Sequence, residues 1–172
     1  MIRVKADGRA SSDIHHVTSS IHIYYATETG NAESLARRAA ERAVREGWQA
    51  LLESLSEARP ADLAGPRLAL FIVSTWGDGD PPIEAEDFWN DLTRAAIDLS
   101  GLRYAVFGLG DRGYADFNGL ARNLDERLTG LGAVGLHERV EADVDFDDVY
   151  SEWEACIFPL LRKCPGFGVP AA

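Results

Sequence analysis

Leu68-Ala69-Leu70-Phe71-Ile72-Val73 is an unbroken apolar run that ends at Ser74-Thr75. It has no polar alternation, so both of its faces need burial. A strand buried on both faces belongs inside a sheet that helices cover on each side. The rest of the chain supplies such a sheet. Residues 21–26, 49–53, 103–108 and 134–140 read as four more strands around the strand at 68–74. Helical patterns fall between them at 30–46, 83–97 and 117–131, with a short helix near 61–63. A last helix at 147–161 places Val149, Tyr150, Trp153, Ile157 and Leu160 on one face. This alternation predicts an α/β three-layer sandwich with a five-stranded parallel sheet. Right-handed crossovers leave few strand orders. The order 2-1-3-4-5 puts a ligand at the carboxyl ends of strands 1 and 3, where the winding reverses.

Three loops follow strands 1, 3 and 4 and so meet at that edge. The first is Thr27-Glu28-Thr29-Gly30-Asn31-Ala32. A strand that turns through glycine into a helix leaves the first N–H groups of the helix unpaired. Those amides, two threonine hydroxyls and the Asn31 amide can cradle a phosphate. The loop lacks the GxxxxGK(S/T) spacing and its lysine, which argues against a nucleoside triphosphatase, and it is not GxGxxG. Glu28 fits beside a dianion only if its N–H faces the phosphate and its carboxylate faces solvent. A capped turn explains this loop equally well.

The second loop is Ser74-Thr75-Trp76-Gly77-Asp78-Gly79-Asp80-Pro81-Pro82. Its glycines allow close backbone approach to a flat ligand. Trp76 offers a stacking face, or simply packs at the loop base. The third loop runs Phe107-Gly108-Leu109-Gly110-Asp111-Arg112-Gly113-Tyr114-Ala115-Asp116-Phe117-Asn118. Here the glycines precede an aromatic, Tyr114. Two aromatics on neighbouring loops can sandwich a flat ring. Together with a phosphate loop, after these three strands, they form a specific constellation.

These motifs resemble those of the flavodoxin superfamily. They are most similar to the FMN domains of diflavin reductases: the sulfite reductase flavoprotein, NADPH–cytochrome reductase and the nitric oxide synthase reductase region. The match covers most of the chain. It implies a flavodoxin-like fold of the short-chain type, because strand 5 runs on without the insertion that splits it in the long-chain type. It implies FMN as cofactor, with Thr27, Glu28, Thr29, Gly30, Asn31 and Ala32 at the phosphate. Trp76 and Tyr114 would stack on the ring. Ser74, Thr75, Gly77, Asp78, Gly79, Leu109, Gly110, Asp111, Phe117 and Asn118 would line the ring and ribityl chain. The family often places an acidic residue near the flavin after strand 5, and Asp143 takes that place here.

The implied function is an FMN-dependent electron carrier. It would pass single electrons from an FAD/NAD(P)H reductase module or partner to a haem or metalloprotein acceptor. The chain has no length for an FAD/NADPH module, so it is expected to be no complete enzyme by itself, or else the FMN module of a larger NADPH-dependent reductase. No catalytic or metal-binding residue is implied. A Gly77 carbonyl, on a peptide that flips easily, would accept a hydrogen bond from the flavin N5–H. Asp78, Asp80 and Asp111 would disfavour a negative charge on the fully reduced ring. Two other readings are an interaction module without FMN and a small-substrate oxidoreductase with FMN. Trp76, Tyr114 and the phosphate loop argue against the first. The second would want an acid/base pair over the ring, and the sequence shows none.

Charge narrows the partners. A net charge of −11 with a pI near 4.7 argues against nucleic acid and suits redox proteins with basic docking surfaces. The acids are concentrated. Six lie between Asp78 and Asp91 with no Lys or Arg, and eight between Glu138 and Glu154 against Arg139 alone. Asp147 and Asp148 have an explanation as helix-start residues; the acids at the loops read as a docking rim. Cys156 and Cys164 form no CxxC or metal-ligand pattern, so a reduced, cytoplasmic setting and a monomer are expected. His15-His16 lacks further ligands and reads as ordinary polar sequence. Met1-Ile2-Arg3-Val4-Lys5 lacks a signal-peptide core, and no apolar stretch approaches the roughly 20 residues of a membrane span. The length of 172 residues suits one domain. That domain is expected over 20–162, between a leader or linker at 1–19 and a tail at 163–172.

Overall fold

A computed structural model describes residues 20–167. The expected leader and the end of the tail lie outside the described residues. Strand β1 (Ser20–Ala26) pairs in parallel with β2 (Gln49–Ser54) and with β3 (Arg67–Ser74). Strand β4 (Leu102–Leu109) pairs in parallel with β3 on one side. On its other side it pairs with β5 (Val134–Gly135) and β6 (Val140–Ala142). The order is β2-β1-β3-β4-β5, as the crossover rules anticipate.

The single strand expected at 134–140 is in fact two short ones. Leu136 N–H still donates to Tyr104 O, at 2.7 Å. The chain then leaves the ladder, and Arg139 reaches Asp125 (2.6 Å) and Glu141 (2.8 Å). The intervening Leu136-His137-Glu138-Arg139 has no apolar alternation to hold an edge strand in register.

Helices α1 (Asn31–Arg45) and α4 (Asp147–Lys163) cover one face of the sheet. Helices α2 (Glu86–Arg94) and α3 (Gly119–Gly130) cover the other. The period of two along the strands sorts the core. Ile23, Leu70 and Phe107 face α1 and α4, whereas Tyr24, Phe71 and Val106 face α2 and α3. Every residue from Leu68 to Val73 is fully buried. Each such large side chain contributes about 1.5–3 kcal/mol relative to exposure.

The buried face of α4 is rotated from the expected one. Tyr150, Trp153 and Ile157 are inside as foreseen, but Phe158 and Leu161 complete the face, while Val149 is exposed and Leu160 marginal. Phe107 sets that rotation by meeting Tyr150 edge-on at 5.2 Å and Trp153 at 5.2 Å. Arginines of α1 then cover the seam: Arg38 lies 4.6 Å over Tyr150 and Arg42 4.6 Å over Phe158. Arg42 also pairs with Glu46 (2.9 Å) and Glu154 (3.3 Å).

Helices α2 and α3 depart from their expected bounds for identifiable reasons. After one turn at Ile83–Ala85, α2 runs only to Arg94 rather than to residue 97. Arg127 of α3 donates to the carbonyls of Leu92 (3.0 Å) and Ala95 (2.6 Å), replacing the donors a further turn would supply. Helix α3 starts two residues late because Asn118 adopts φ 55°. At the amino-terminal edge of the sheet, His22 contacts Arg67 at 2.8 Å. Burial first, then the Arg67 charge, holds its imidazole down to about 4.

Candidate functional site

The carboxyl ends of β1, β3 and β4 open onto a cavity of about 280 Å³, near the lower end for small-ligand pockets. From the first loop, Glu28, Thr29 and Asn31 line it. Thr27 is fixed from two sides. Its N–H donates to Glu84 Oε1 (3.1 Å), and its Oγ1 accepts the Gly30 N–H (2.9 Å). The Thr27 hydroxyl therefore keeps its hydrogen free to donate, while the Gly30 amide is already used. The Ala32 side chain is fully buried in the core, so only its backbone faces the loop. Ser34 N–H is the first amide to find a helical acceptor, Gly30 O at 3.0 Å. Helix geometry leaves the amides of Asn31, Ala32 and Glu33 free of intrahelical acceptors. Burial, and next the Glu33 carboxylate, push the neighbouring Tyr25 phenol up.

From the second loop, Ser74, Thr75, Trp76 and Gly77 line the cavity. Trp76 N–H donates to Asp80 O (2.8 Å), and Asp80 N–H returns the bond to Trp76 O (3.0 Å). This closes a tight turn over Gly77-Asp78-Gly79. Gly77 sits at φ 49° with nothing within 4 Å of a would-be Cβ. Backbone conformation, not space, requires glycine there. Asp78 does not line the cavity; its Oδ1 accepts the Ala115 N–H at 3.3 Å. Gly79 packs against the third loop.

From the third loop, Leu109, Gly110, Asp111, Tyr114, Phe117 and Asn118 line the cavity. The start of α3, which follows this loop, is tied to the second loop by Leu120 N–H donating to Thr75 Oγ1 at 3.2 Å. Asn118 is fully buried, and its Nδ2 donates to Ala142 O at 3.1 Å. Its Oδ1 is buried with no protein donor. Trp76 and Tyr114 are 49% and 52% exposed, unusual for two large aromatics on the walls of one cavity.

Three wall residues escaped the sequence reading: Asp116, Val144 and Phe146. Asp143 itself does not line the cavity. Its Oδ1 accepts the N–H groups of Arg112 (3.1 Å) and Val144 (2.9 Å), and its Oδ2 pairs with Arg112 Nε at 3.3 Å. The alternation Asp143-Val144-Asp145-Phe146 carried the clue, since its two apolar members share a side. Glu84, the partner of Thr27, left no mark in the sequence.

The wall residues include three carboxylates, Glu28, Asp111 and Asp116, and no Lys or Arg. Among the described residues no His/Cys/Asp/Glu group has metal-binding geometry, and no helix is long and apolar enough to cross a membrane. The family model described as flavodoxin matches residues 23–155. The chain belongs to the flavodoxin family.

Its relatives among larger proteins include NADPH–cytochrome P450 reductase of Oryctolagus cuniculus, 35% identical over 159 residues. That match covers 88% of this chain and 23% of the reductase. The sulfite reductase [NADPH] flavoprotein alpha-component of Bacillus subtilis (strain 168) is 36% identical over 151 residues, covering 87% of this chain and 25% of that protein. The chain thus spans about a quarter of the length of these relatives. Among solved structures, the Streptococcus pneumonia TIGR4 flavodoxin superposes with a TM-score of 0.73 at 27% identity, covering 85% of this chain and all of that one. A short-chain flavodoxin associated with a PDU bacterial microcompartment gives 0.71 at 26% identity, over 84% and 98% of the two chains. Membership implies a flavin as cofactor and electron transfer as its general role.

The wall chemistry fits a flavin nucleotide. The buried Asn118 Oδ1 needs a hydroxyl or N–H donor. The start of α1 offers amides to an anion. Two half-exposed aromatic faces offer contact to a flat ring.

Proposed function

We propose that the flavin of this chain is FMN. Its phosphate would lie at Thr27–Ala32, its ribityl chain beside Asn118, and its ring between the Trp76 and Tyr114 faces. The observation that carries this reading is that two half-exposed aromatics share one cavity with a helix start that has no cation. Bound FMN supplies reversible one-electron chemistry. The protein's own residues bind and tune it. The amides of Asn31, Ala32 and Glu33 and the hydroxyls of Thr27 and Thr29 donate to the phosphate. Asn118 Oδ1 accepts from a ribityl hydroxyl. The Gly77 peptide, on its φ 49° backbone, would offer its carbonyl to the ring as a hydrogen-bond acceptor. Trp76 and Tyr114 exclude water from the two ring faces.

On this reading residues 20–162 form an FMN-binding unit. It takes single electrons from an FAD/NAD(P)H reductase module or partner and gives them to a haem or metalloprotein acceptor. The relatives' names support redox proteins on both sides. Acids exposed at 78–91 favour partners with basic surfaces.

The test is titration of flavin-free protein with FMN and with riboflavin, followed by quenching of flavin fluorescence. FMN is expected to bind tightly and riboflavin much more weakly. Thr29→Ala should weaken FMN by about tenfold, the loss of one hydrogen bond to a charged group, with Glu28→Gln changing it less. Equal affinity for FMN and riboflavin would remove the phosphate from Thr27–Ala32. The reverse order of the two variants would mean that the Glu28 side chain faces the ligand.

A further inference from the structure

Of the three carboxylates on the cavity wall, that of Asp116 alone stands in an ion pair among the described residues. Arg122 of α3 donates through Nη2 to Asp116 Oδ1, and through Nη1 to the Phe117 carbonyl oxygen at 3.4 Å. The opposite side of Asp116 is walled by backbone. A Cβ on Gly119 would lie 2.6 Å from Gly79 Cα and 2.9 Å from Asp116 Cγ, and one on Gly79 would lie 2.9 Å from that same Cγ. Neither position tolerates a side chain. The two glycines bring the second loop against the start of α3, and the Asp116 carboxyl fills the space between them. A guanidinium lies on one flank of this carboxylate and glycine backbone on the other, while part of the side chain stays open to solvent. Asp116 lines the cavity and Arg122 does not, so the pair sets a carboxylate at the wall with its counter-charge outside the lining.

We propose that the Asp116–Arg122 pair sets the reduction potential of the flavin in this cavity. The inference rests on the FMN reading above. The second electron brings net negative charge into the cavity unless a proton follows it. A wall carboxylate opposes that charge, and its paired guanidinium offsets much of the opposition. Glu28 and Asp111 have no ion-pair partner among the described residues, and Arg112, 4.5 Å over the Phe117 ring, is already paired with Asp143. Arg122 is therefore the cation that answers a wall carboxylate directly and limits how far the wall pushes the second potential down. The two members of the pair therefore act with opposite signs, although removing either one breaks the same contact.

The test is a dithionite titration of the FMN-loaded protein with dye mediators, on wild type, Asp116→Asn, Arg122→Gln and Arg122→Lys. FMN affinity and the melting temperature of the flavin-free proteins are measured alongside. Asp116→Asn keeps the shape that fills the gap and is expected to raise the second potential. Arg122→Gln leaves the carboxylate bare and is expected to lower it. Each shift should be about tenfold in the reduction equilibrium, or 59 mV for one electron. Arg122→Lys, which keeps the charge, should stay near wild type. Shifts of the same sign, or unmoved potentials with a lowered melting temperature, would overturn the electrostatic role and leave the pair a brace between loops. Failure of the wild type to take up flavin would instead overturn the FMN reading and this inference with it.

Discussion

The two acidic stretches of the chain differ in what stands opposite them. In 138–154, Glu141 pairs with Arg139, Asp143 with Arg112, Asp147 with Arg38 and Glu154 with Arg42. Half of its eight carboxylates are answered within the fold, and they tie α4 and the segment before it to α1 and the third loop. In 78–91 all six acids are exposed, and none has an ion-pair partner among the described residues. Two of them accept backbone amides, Asp78 from Ala115 and Glu84 from Thr27. Density of charge along a sequence is thus a poor guide to charge that a partner can use. The longer run mainly holds the molecule together, and the shorter one faces outward beside Trp76 and the exposed Ile83.

The largest effect that can break this contrast is on stability. Arg42→Ala leaves the largely buried Glu154 without its cation, strips Glu46 of one of its two arginines and uncovers Phe158. It is expected to cost about 2–3 kcal/mol in urea unfolding, whereas Asp87→Asn should stay within about 0.5 kcal/mol. Similar losses for the two would mean that the paired and unpaired runs are equivalent. Next is docking. Combined Asp80→Asn, Glu86→Gln and Asp87→Asn should slow electron delivery from the FMN-loaded chain to a cationic haem protein about tenfold at low salt, a difference that disappears as salt rises. The same number of changes at Glu138, Asp145 and Asp148 should slow it less than about threefold. A stopped-flow series in which the second set matters more would move the docking face to the other run.

The smallest effect separates acid sensitivity of the ion pairs from a histidine remote from both runs. His22 is held near 4 in the folded chain, against 6.5 as its ordinary value. The unfolded chain takes up its proton first as pH falls, so the contribution of His22 is complete above about 6.5 and is lost by about 4. The ring is only half buried, so the change is about 1 kcal/mol. His22→Gln should flatten the stability profile over that window. What remains at lower pH then belongs to carboxylates such as Glu46. Burial pushes its carboxyl up, but Arg42 and Arg162 outweigh that and hold it below its usual range. An unchanged slope in His22→Gln would assign the whole acid loss to the ion pairs.

Much of this architecture was legible in the sequence because it depends on local pattern. The apolar run 68–73 demanded a central strand, and glycines after Trp76 and before Tyr114 marked the loops that follow it and its neighbour β4. What escaped depends on contacts between distant residues. The last strand breaks because Arg139 finds Asp125, fourteen residues back. Helix α2 stops early because Arg127, from another helix, takes its final carbonyls. Glu84 gained a role only by meeting Thr27 across 57 residues. Asp143 drew attention as a charge, yet its neighbours Val144 and Phe146 are the ones turned to the cavity.

The layering of the sheet also has a consequence for synthesis. Everything that covers the face of Tyr24 and Phe71 has been made by residue 133, but the face of Ile23 and Phe107 waits for Tyr150 to Leu161. At roughly 5–20 residues per second, a growing chain spends seconds as a sandwich with one slice half missing. Its bare strip of β3 and β4 would then be open to neighbouring nascent chains. The aromatic ridge of α4 acts as a late-arriving clasp, so pauses in translation ahead of it would be the moment when this protein most needs a chaperone.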